Sequence, residues 1–284
     1  VSKSLEAAPQ LPLEPGIELQ CGIYNSIVRK FNDGKPLSFE LTTQMDVPSG
    51  SGLGTSSTLV VAILGAFTEW LNLPLGKYDI AQYAFEIERV DLGMAGGKQD
   101  QYAATFGGVN FMEFRDENRV IVNPLSIPDA ILNEWAMNTV LLFTNKRRKS
   151  AKIIEEQVAN VKKKNSGSVE AMHRVKEEAF RMKTCLLQDN LAALGDALNT
   201  SWVNKKKMAA DISNEYIDSI YETAIAAGAT GGKISGAGGG GFMFFYCPGN
   251  TRYAVEAALS KMEVGEIYDF EFCRKGLVTW TVKD

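Results

Sequence analysis

Two glycine-rich segments, and the carboxylates between them, are the residues of this chain whose types and spacing could do chemistry. The first segment is Pro48-Ser-Gly-Ser-Gly-Leu-Gly-Thr-Ser-Ser-Thr. Gly50, Gly52 and Gly54 let backbone N–H groups converge with no Cβ in the way, and Thr55, Ser56 and Ser57 bring hydroxyls to the start of the next element. If that element is a helix, its N-terminus carries about half a positive charge and suits a phosphate. The segment is not a Walker A loop, because no Lys follows its last glycine, and no βαβ unit surrounds it. A flexible turn ahead of a well-capped helix fits the same residues.

The second segment is Lys233-Ile-Ser-Gly-Ala-Gly-Gly-Gly-Gly-Phe, in which Gly236 and Gly238 to Gly241 are interrupted only by Ala237. Such a run costs backbone entropy on folding, so close approach to a ligand or to the first segment explains it better than a tight turn. A hairpin crossing, or packing against a helix, remains open. Between the two lies Glu86-Ile-Glu-Arg-Val-Asp-Leu-Gly-Met-Ala-Gly-Gly-Lys-Gln-Asp-Gln. At about 100° per residue, Glu88 falls at the border of the face carrying Ile80, Ala84 and Ile87. It is either a half-exposed helix residue or a carboxylate aimed into a cleft, where a metal would use it. Asp100 follows Gly96 and Gly97 near a helix start. Capping accounts for an Asp there; the alternative is a general base in a phosphate-rich site, with Lys98 offsetting charge.

Periodicity supplies the elements that must hold these residues. Helices are expected over 17–31, 55–70 and 77–90, and a loop runs into another helix over 93–106. Alternation predicts strands at 37–42, 107–114 and 138–144, the last ending in the basic run 146–149. Helices follow at 150–164 and 168–187, then helical segments to about 227. Lys233-Ile-Ser and 242–247 flank the second glycine segment, and the chain closes with a helix at 253–262 and a strand at 266–273. The pattern is α+β, with an N-terminal domain at 1–145 and a C-terminal domain at 146–284.

Composition bounds the function. With 284 residues, 45% hydrophobic and 23% charged, the chain fits a folded globular protein rather than a disordered one. A net charge of −4 argues against a general nucleic-acid binder and leaves room for a local basic site. The longest strongly apolar stretch, 59–67, is far short of the ~20 residues of a membrane span. The four cysteines form no CxxC pair, so reduced thiols in the cytoplasm are expected. Residues 1–16 carry Pro9, Pro12 and Pro15 and lack the cationic and apolar regions of a signal peptide. His173, the only histidine, has no partner at metal-ligand spacing and is expected to be structural or exposed.

Taken together, the three segments resemble the GHMP family of small-molecule kinases. Residues 48–57 are similar to its PxxxGLGSS phosphate loop, with Thr55 in place of the first serine, and 233–241 match its GAGGGG motif. Asp100 falls where the family places its catalytic aspartate. The likeness runs over nearly the whole chain to members acting on seven-carbon sugar phosphates. It is carried by 85–93, by Gly96-Gly-Lys-Gln-Asp-Gln-Tyr-Ala-Ala-Thr-Phe-Gly-Gly-Val-Asn-Phe-Met-Glu-Phe and by 233–242. The resemblance implies the two-domain GHMP-kinase fold, with a ribosomal protein S5 domain 2-like N-terminal domain and a ferredoxin-like C-terminal domain. It implies ATP-dependent transfer to the anomeric hydroxyl of the sugar phosphate, giving a 1,7-bisphosphate.

Carried over residue by residue, Pro48, Gly50, Ser51, Gly52, Leu53, Gly54, Thr55, Ser56 and Ser57 would hold ATP. Ser56 and Glu88 would hold Mg²⁺, with Ser57 the alternative one residue on. Asp100 would act on the acceptor hydroxyl with Lys98 beside it, and Gly97, Gly236, Ala237, Gly238 and Gly239 would face the substrate. Two departures stand out. Family members open with a strand and a Gly-rich turn that contacts the sugar, and nothing before Gly16 resembles it; either the chain given lacks that opening, which the density of matches downstream favours, or the protein cannot form that wall of the site. At Thr144-Asn-Lys-Arg-Arg-Lys-Ser-Ala, relatives tend to show Thr-Gly-x-x-Arg-x-Ser-Ala, and Asn145 replaces the glycine. Arg148 could receive the distal phosphate, since its guanidinium is a planar fork of donors; a solvated helix start is the alternative. The runs 162–164 and 205–207 are expected to be solvated. The expected partners are ATP and a sugar phosphate, with a homodimer as the one protein assembly to test, and neither nucleic acid nor membrane. A kinase for another sugar, such as fucose or galactose, and a non-catalytic sugar and ATP sensor are the competing functions.

Overall fold

The computed structural model describes residues 2–48, 50–116, 118–146 and 150–282. Contacts divide the chain into two compact units, one of residues 1–49, 54–112 and 273–284, the other of 50–53 and 113–272. The division expected at 145/146 falls inside the second unit.

The first unit is built on helices α1 (Glu18–Phe31), α2 (Thr55–Trp70), α3 (Lys77–Glu86) and α4 (Gln99–Phe106). Ile23 and Ile27 of α1, Val60, Ile63, Leu64 and Phe67 of α2, and Ile80, Tyr83 and Ala84 of α3 recur at three- and four-residue spacing and form one buried core. Where a helix was expected to run through to residue 90, α3 instead widens into a π turn over Ile87–Asp91. The Leu92 N–H reaches back five residues to the Ile87 carbonyl at 2.9 Å. Residues 37–42 alternate as expected, yet they join no ladder among the described residues. Alternation prepares a strand, but only a partner makes one. Leu37 packs on the core, and the Phe39 ring meets Phe67 and Trp70 at 5.2 and 5.6 Å. The closing segment lies over α2: Thr279 Oγ1 donates to Glu69 Oε2 at 2.9 Å, and Leu277 covers Gly65.

Strands β1 (Asn110–Phe114) and β2 (Val120–Pro124) form a two-stranded sheet. β2 was not expected from the pattern. The second unit continues with α5 (Asp129–Met137), β3 (Thr139–Phe143), α6 (Ser150–Lys162), α7 (Ser166–Leu187), α8 (Leu191–Lys205), a 3₁₀ turn at Ala210–Ile212, α9 (Glu215–Ala226), β4 (Gly231–Ile234), β5 (Phe242–Tyr246), α10 (Thr251–Lys261) and β6 (Glu266–Tyr268). The strands form one sheet in the order β4-β5-β3-β6, with each neighbouring pair antiparallel. Val140, Leu142, Ile234, Met243 and Phe245 share one face and pack on Trp202, Ile212, Ile217, Ile220, Val255 and Leu259. Asn165, Asn190 and Asn214 cap α7, α8 and α9, each accepting from a backbone N–H three residues on at 3.1 Å. β6 is shorter than the expected 266–273, because its pairing to β3 covers only Glu266 to Tyr268. The α+β class is as the sequence implied.

Candidate active site

The phosphate-loop candidate ends at Gly54, which adopts a left-handed conformation at φ 71° and stands as the N-cap of α2. A glycine N-cap has no side chain to accept from the first amides, and no acidic residue lies in the first turn of α2. The first amides of a long apolar helix thus lack an internal acceptor, the arrangement that favours an anion. Gly54 also has to be glycine for space. A Cβ there would lie 2.9 Å from both Cβ and Cγ of Asp100. Asp100 sits in the first turn of α4 and is exposed. The candidate base and the start of α2 are therefore in contact. Lys98 is the N-cap residue of α4; its ammonium lies 4.6 Å from the Phe85 ring centroid and 3.5 Å from Gln82 Oε1. It faces α3.

Glu88 lies within the π turn and is fully buried, which sets aside the half-exposed reading. A uniform helical period gives its place beside the buried face but not the partners that close over it. Ser57 Oγ donates to Glu88 Oε2 at 2.7 Å, and Gln101 Nε2 donates to Ser57 Oγ at 3.1 Å and to Glu88 Oε2. The hydroxyl brought to Glu88 is that of Ser57, while Ser56 is half-buried beside it. Gln101 was not singled out from the sequence; its signal is its place one residue after the exposed Asp100, about 100° further round α4 and buried. Glu88 Oε1 is buried with no hydrogen-bond partner among the described residues. A buried carboxylate oxygen without a donor is costly, and a divalent cation would satisfy it, so these residues fit Mg²⁺. Among the described residues no cluster of three or more His, Cys, Asp or Glu side chains is assembled, which leaves the remaining positions of a cation to water and phosphate oxygens.

The π turn is tied at its far end. Asp91 Oδ2 accepts from Ser26 Oγ at 2.8 Å and from Arg29 Nη2 at 2.9 Å, and Tyr83 OH donates to Ser26 Oγ at 3.0 Å. Burial is the main cause that pushes the Tyr83 hydroxyl up to about 12, so it remains a donor at neutral pH.

In the second unit the other glycine segment grips the apex of the first. The Phe242 N–H donates to the Ser51 carbonyl at 3.0 Å, and Ser235 Oγ to the Gly52 carbonyl at 3.1 Å. A Cβ on Gly241 would sit 2.1 Å from the Ser51 oxygen. Of the two explanations weighed for the glycine run, close approach to the first segment is present. Thr144, fully buried, locks the same glycine: its Oγ1 donates to the Gly241 carbonyl at 2.9 Å, and the Gly241 N–H reaches Oγ1 at 3.1 Å. Gly238 and Gly239 lie against Ile212, and the Gly239 N–H donates to its carbonyl at 2.9 Å. Ala237 packs on the core, and the Gly236 carbonyl accepts from Lys205 Nζ. Lys206 pairs with Asp218 at 2.9 Å. The expectation that 205–207 form a solvated face is thus corrected for Lys205 and Lys206, which reach bonding partners. Asn145 adopts φ 52°, the conformation that explains a glycine in relatives and that Asn tolerates better than most residues. Arg148 lies outside the described residues. His173 is exposed on α7.

The model of the GHMP kinases N terminal domain matches residues 19–108 and that of the GHMP kinases C terminal domain matches 182–264. The chain belongs to the GHMP kinase family and is a small-molecule kinase; these enzymes take ATP as phosphate donor. It is 52% identical over 260 residues to the D-glycero-alpha-D-manno-heptose 7-phosphate kinase of Campylobacter jejuni, covering 92% of this chain and 76% of that protein. A solved structure of a D-glycero-D-manno-heptose 1-phosphate kinase from Bacteroides thetaiotaomicron is 40% identical, with a TM-score of 0.81 over 99% of this chain and 80% of that one. The galactokinase of Lactococcus lactis shares the fold, at 18% identity and a TM-score of 0.66 over 92% of this chain and 75% of that one. Among the described residues no helix is long and apolar enough to cross a membrane.

Proposed function

We propose that this chain transfers the γ-phosphoryl group of ATP to the anomeric O1 of D-glycero-D-manno-heptose 7-phosphate, giving the 1,7-bisphosphate and ADP in the route to nucleotide-activated heptose. The observation that carries the reading is the Asp100 carboxylate resting on Gly54, the residue that ends the phosphate loop and opens α2. A base for the acceptor hydroxyl is thereby set beside the helix terminus that suits the donor's phosphates. Phosphoryl transfer is mostly positioning and charge stabilisation, so amides, one cation site and one carboxylate suffice.

The residues act as follows. Gly50 to Ser57 hold the ATP phosphates, their amides facing oxygens that carry charge. Glu88 and Ser57, with Ser56 adjacent, hold Mg²⁺, which when bound neutralises charge on the phosphates. Asp100 accepts the O1 proton as O1 bonds to the γ-phosphorus and the bond to the β–γ bridging oxygen breaks, releasing ADP. Lys98 keeps positive charge near the base, and Gly97, Gly236, Ala237, Gly238 and Gly239 bind the acceptor. Arg148 takes the 7-phosphate through its fork of donors. A domain boundary at 145/146 stays within the gap between the two family matches, which end at 108 and resume at 182, although the contacts keep 113–272 together. A cytoplasmic location agrees with four cysteines that are all free thiols.

A sensor would have no use for both Asp100 and Glu88, and kinases for other sugars are less similar to this chain. ADP release measured with heptose 7-phosphate, fucose and galactose separates the readings. Turnover is expected with the heptose alone; preference for fucose or galactose would refute the substrate assignment.

A further inference from the structure

We infer that Arg89 is a positioning residue, whose guanidinium clamps the 94–97 turn that leads from the Glu88 carboxylate to Asp100. The inference rests on the reading that Glu88 and Asp100 serve phosphoryl transfer. Arg89 follows Glu88 in the π turn, and its side chain is only 12% exposed. Nε donates to the Gly97 carbonyl at 3.3 Å, Nη1 reaches the Met94 carbonyl at 3.5 Å, and Nη2 stands 3.9 Å from Glu88 Oε2. The group also lies flat against Gly96: a Cβ there would sit 2.5 Å from both Cζ and Nη2. One planar cation thus spans both ends of the turn, covers its middle and shares its charge with the buried carboxylate.

Chemistry explains why an arginine does this. The turn contains Gly96 and Gly97, no helix or strand, and largely exposed backbone, so ordering it is entropically unfavourable without an external tie. A guanidinium carries several donors in a rigid plane and can bond two carbonyls while stacking on a third residue; a lysine ammonium is a single point of charge and cannot. Downstream, the turn sets the height at which α4 begins, and therefore where Asp100 stands. Its partners are backbone oxygens and Glu88, which makes Arg89 a residue that acts through Gly97 and Asp100 rather than on the substrate.

The Arg89 and Gly96 pair allows a decisive cycle. Arg89→Ala and Arg89→Lys should each lower kcat/KM for heptose 7-phosphate about ten-fold or more, with equilibrium ATP affinity held within about two-fold. Gly96→Ala should do the same, because its methyl evicts the guanidinium, and adding it to Arg89→Ala should bring no further loss. Guanidinium ion added to Arg89→Ala should restore part of the rate. Rates within about two-fold of wild type, losses that multiply in the double variant, or an equal fall in ATP affinity would each overturn the clamp. Hydrogen exchange of the 94–98 amides gives a readout independent of turnover, and it should quicken in both Arg89 variants. If the wild-type chain turns over no sugar, the functional reading fails, while unchanged exchange in Arg89→Ala would remove the clamp itself.

Discussion

Gly54 answers two demands at once, a left-handed backbone and the absence of a Cβ where Asp100 rests. Gly54→Ala should therefore cost stability by roughly 1–2 kcal/mol for the conformation alone, and should reduce turnover further by displacing Asp100. A thermal melt and steady-state rates check both; a variant with wild-type rate would show that Asp100 does not depend on this contact. The same scale decides between the two serines. Ser57→Ala removes the hydroxyl bonded to Glu88 and should raise the Mg²⁺ concentration needed for half-maximal rate, whereas Ser56→Ala should shift it less. The reverse order in a magnesium titration would return the role to Ser56. Residue types and order were legible in the sequence here, since glycines, hydroxyls and acids declare their chemistry. The choice between adjacent hydroxyls was not, because it depends on which face of α2 turns toward Glu88, a contact between residues 31 apart in the chain.

Among the elements, the glycine loop between β4 and β5 is a support for the phosphate loop. Gly241→Ala would drive a methyl into the Ser51 carbonyl, and a backbone atom cannot swing aside as a side-chain tip can. We expect ATP affinity to fall about ten-fold or more, with the chain still folded by circular dichroism; unchanged affinity would mean that the apex of the phosphate loop makes no contribution. The helices of both units were readable because their apolar residues recur at three and four. Residues 37–42 show the limit of that reading, since a strand is completed by a neighbour that local alternation cannot supply. The π turn shows another, because the apolar spacing over 80–87 stays regular and nothing in it announces that the helix widens over Ile87–Asp91. The proximity of the two glycine segments, whose Ser235 and Gly52 are 183 residues apart in the chain, was a stated option and needed the fold to become a contact.

At the scale of the whole molecule, burial sorts the thiols and sets an alkaline limit. Cys21, Cys185 and Cys247 are buried and Cys273 is exposed. One thiol should react quickly with an aromatic disulfide reagent in the native state and all four after denaturation; fast reaction of several would contradict the packing. Burial pushes the Cys247 thiol up to about 12 from 9.0, and the Tyr83 and Tyr221 hydroxyls up to about 12 from 10.0. Because the unfolded groups lose their protons first, this stability is fully present below about pH 9 and is lost as pH rises toward 12. The melting temperature should be level from pH 7 to 9 and fall steadily above it, less steeply in Cys247→Ala relative to its own neutral value. A curve flat to pH 11 would contradict it.

The most direct test is the reaction itself, followed by phosphorus NMR with ATP, Mg²⁺ and D-glycero-D-manno-heptose 7-phosphate, for the wild-type chain and for Asp100→Asn. The wild type should yield ADP and a sugar carrying phosphate at both O1 and O7. Asp100→Asn should bind ATP with nearly unchanged affinity and transfer about 10²- to 10⁴-fold more slowly, the range expected for removal of a general base. A wild-type chain that binds ATP and transfers nothing, or an Asp100→Asn chain that keeps the wild-type rate, would contradict the account.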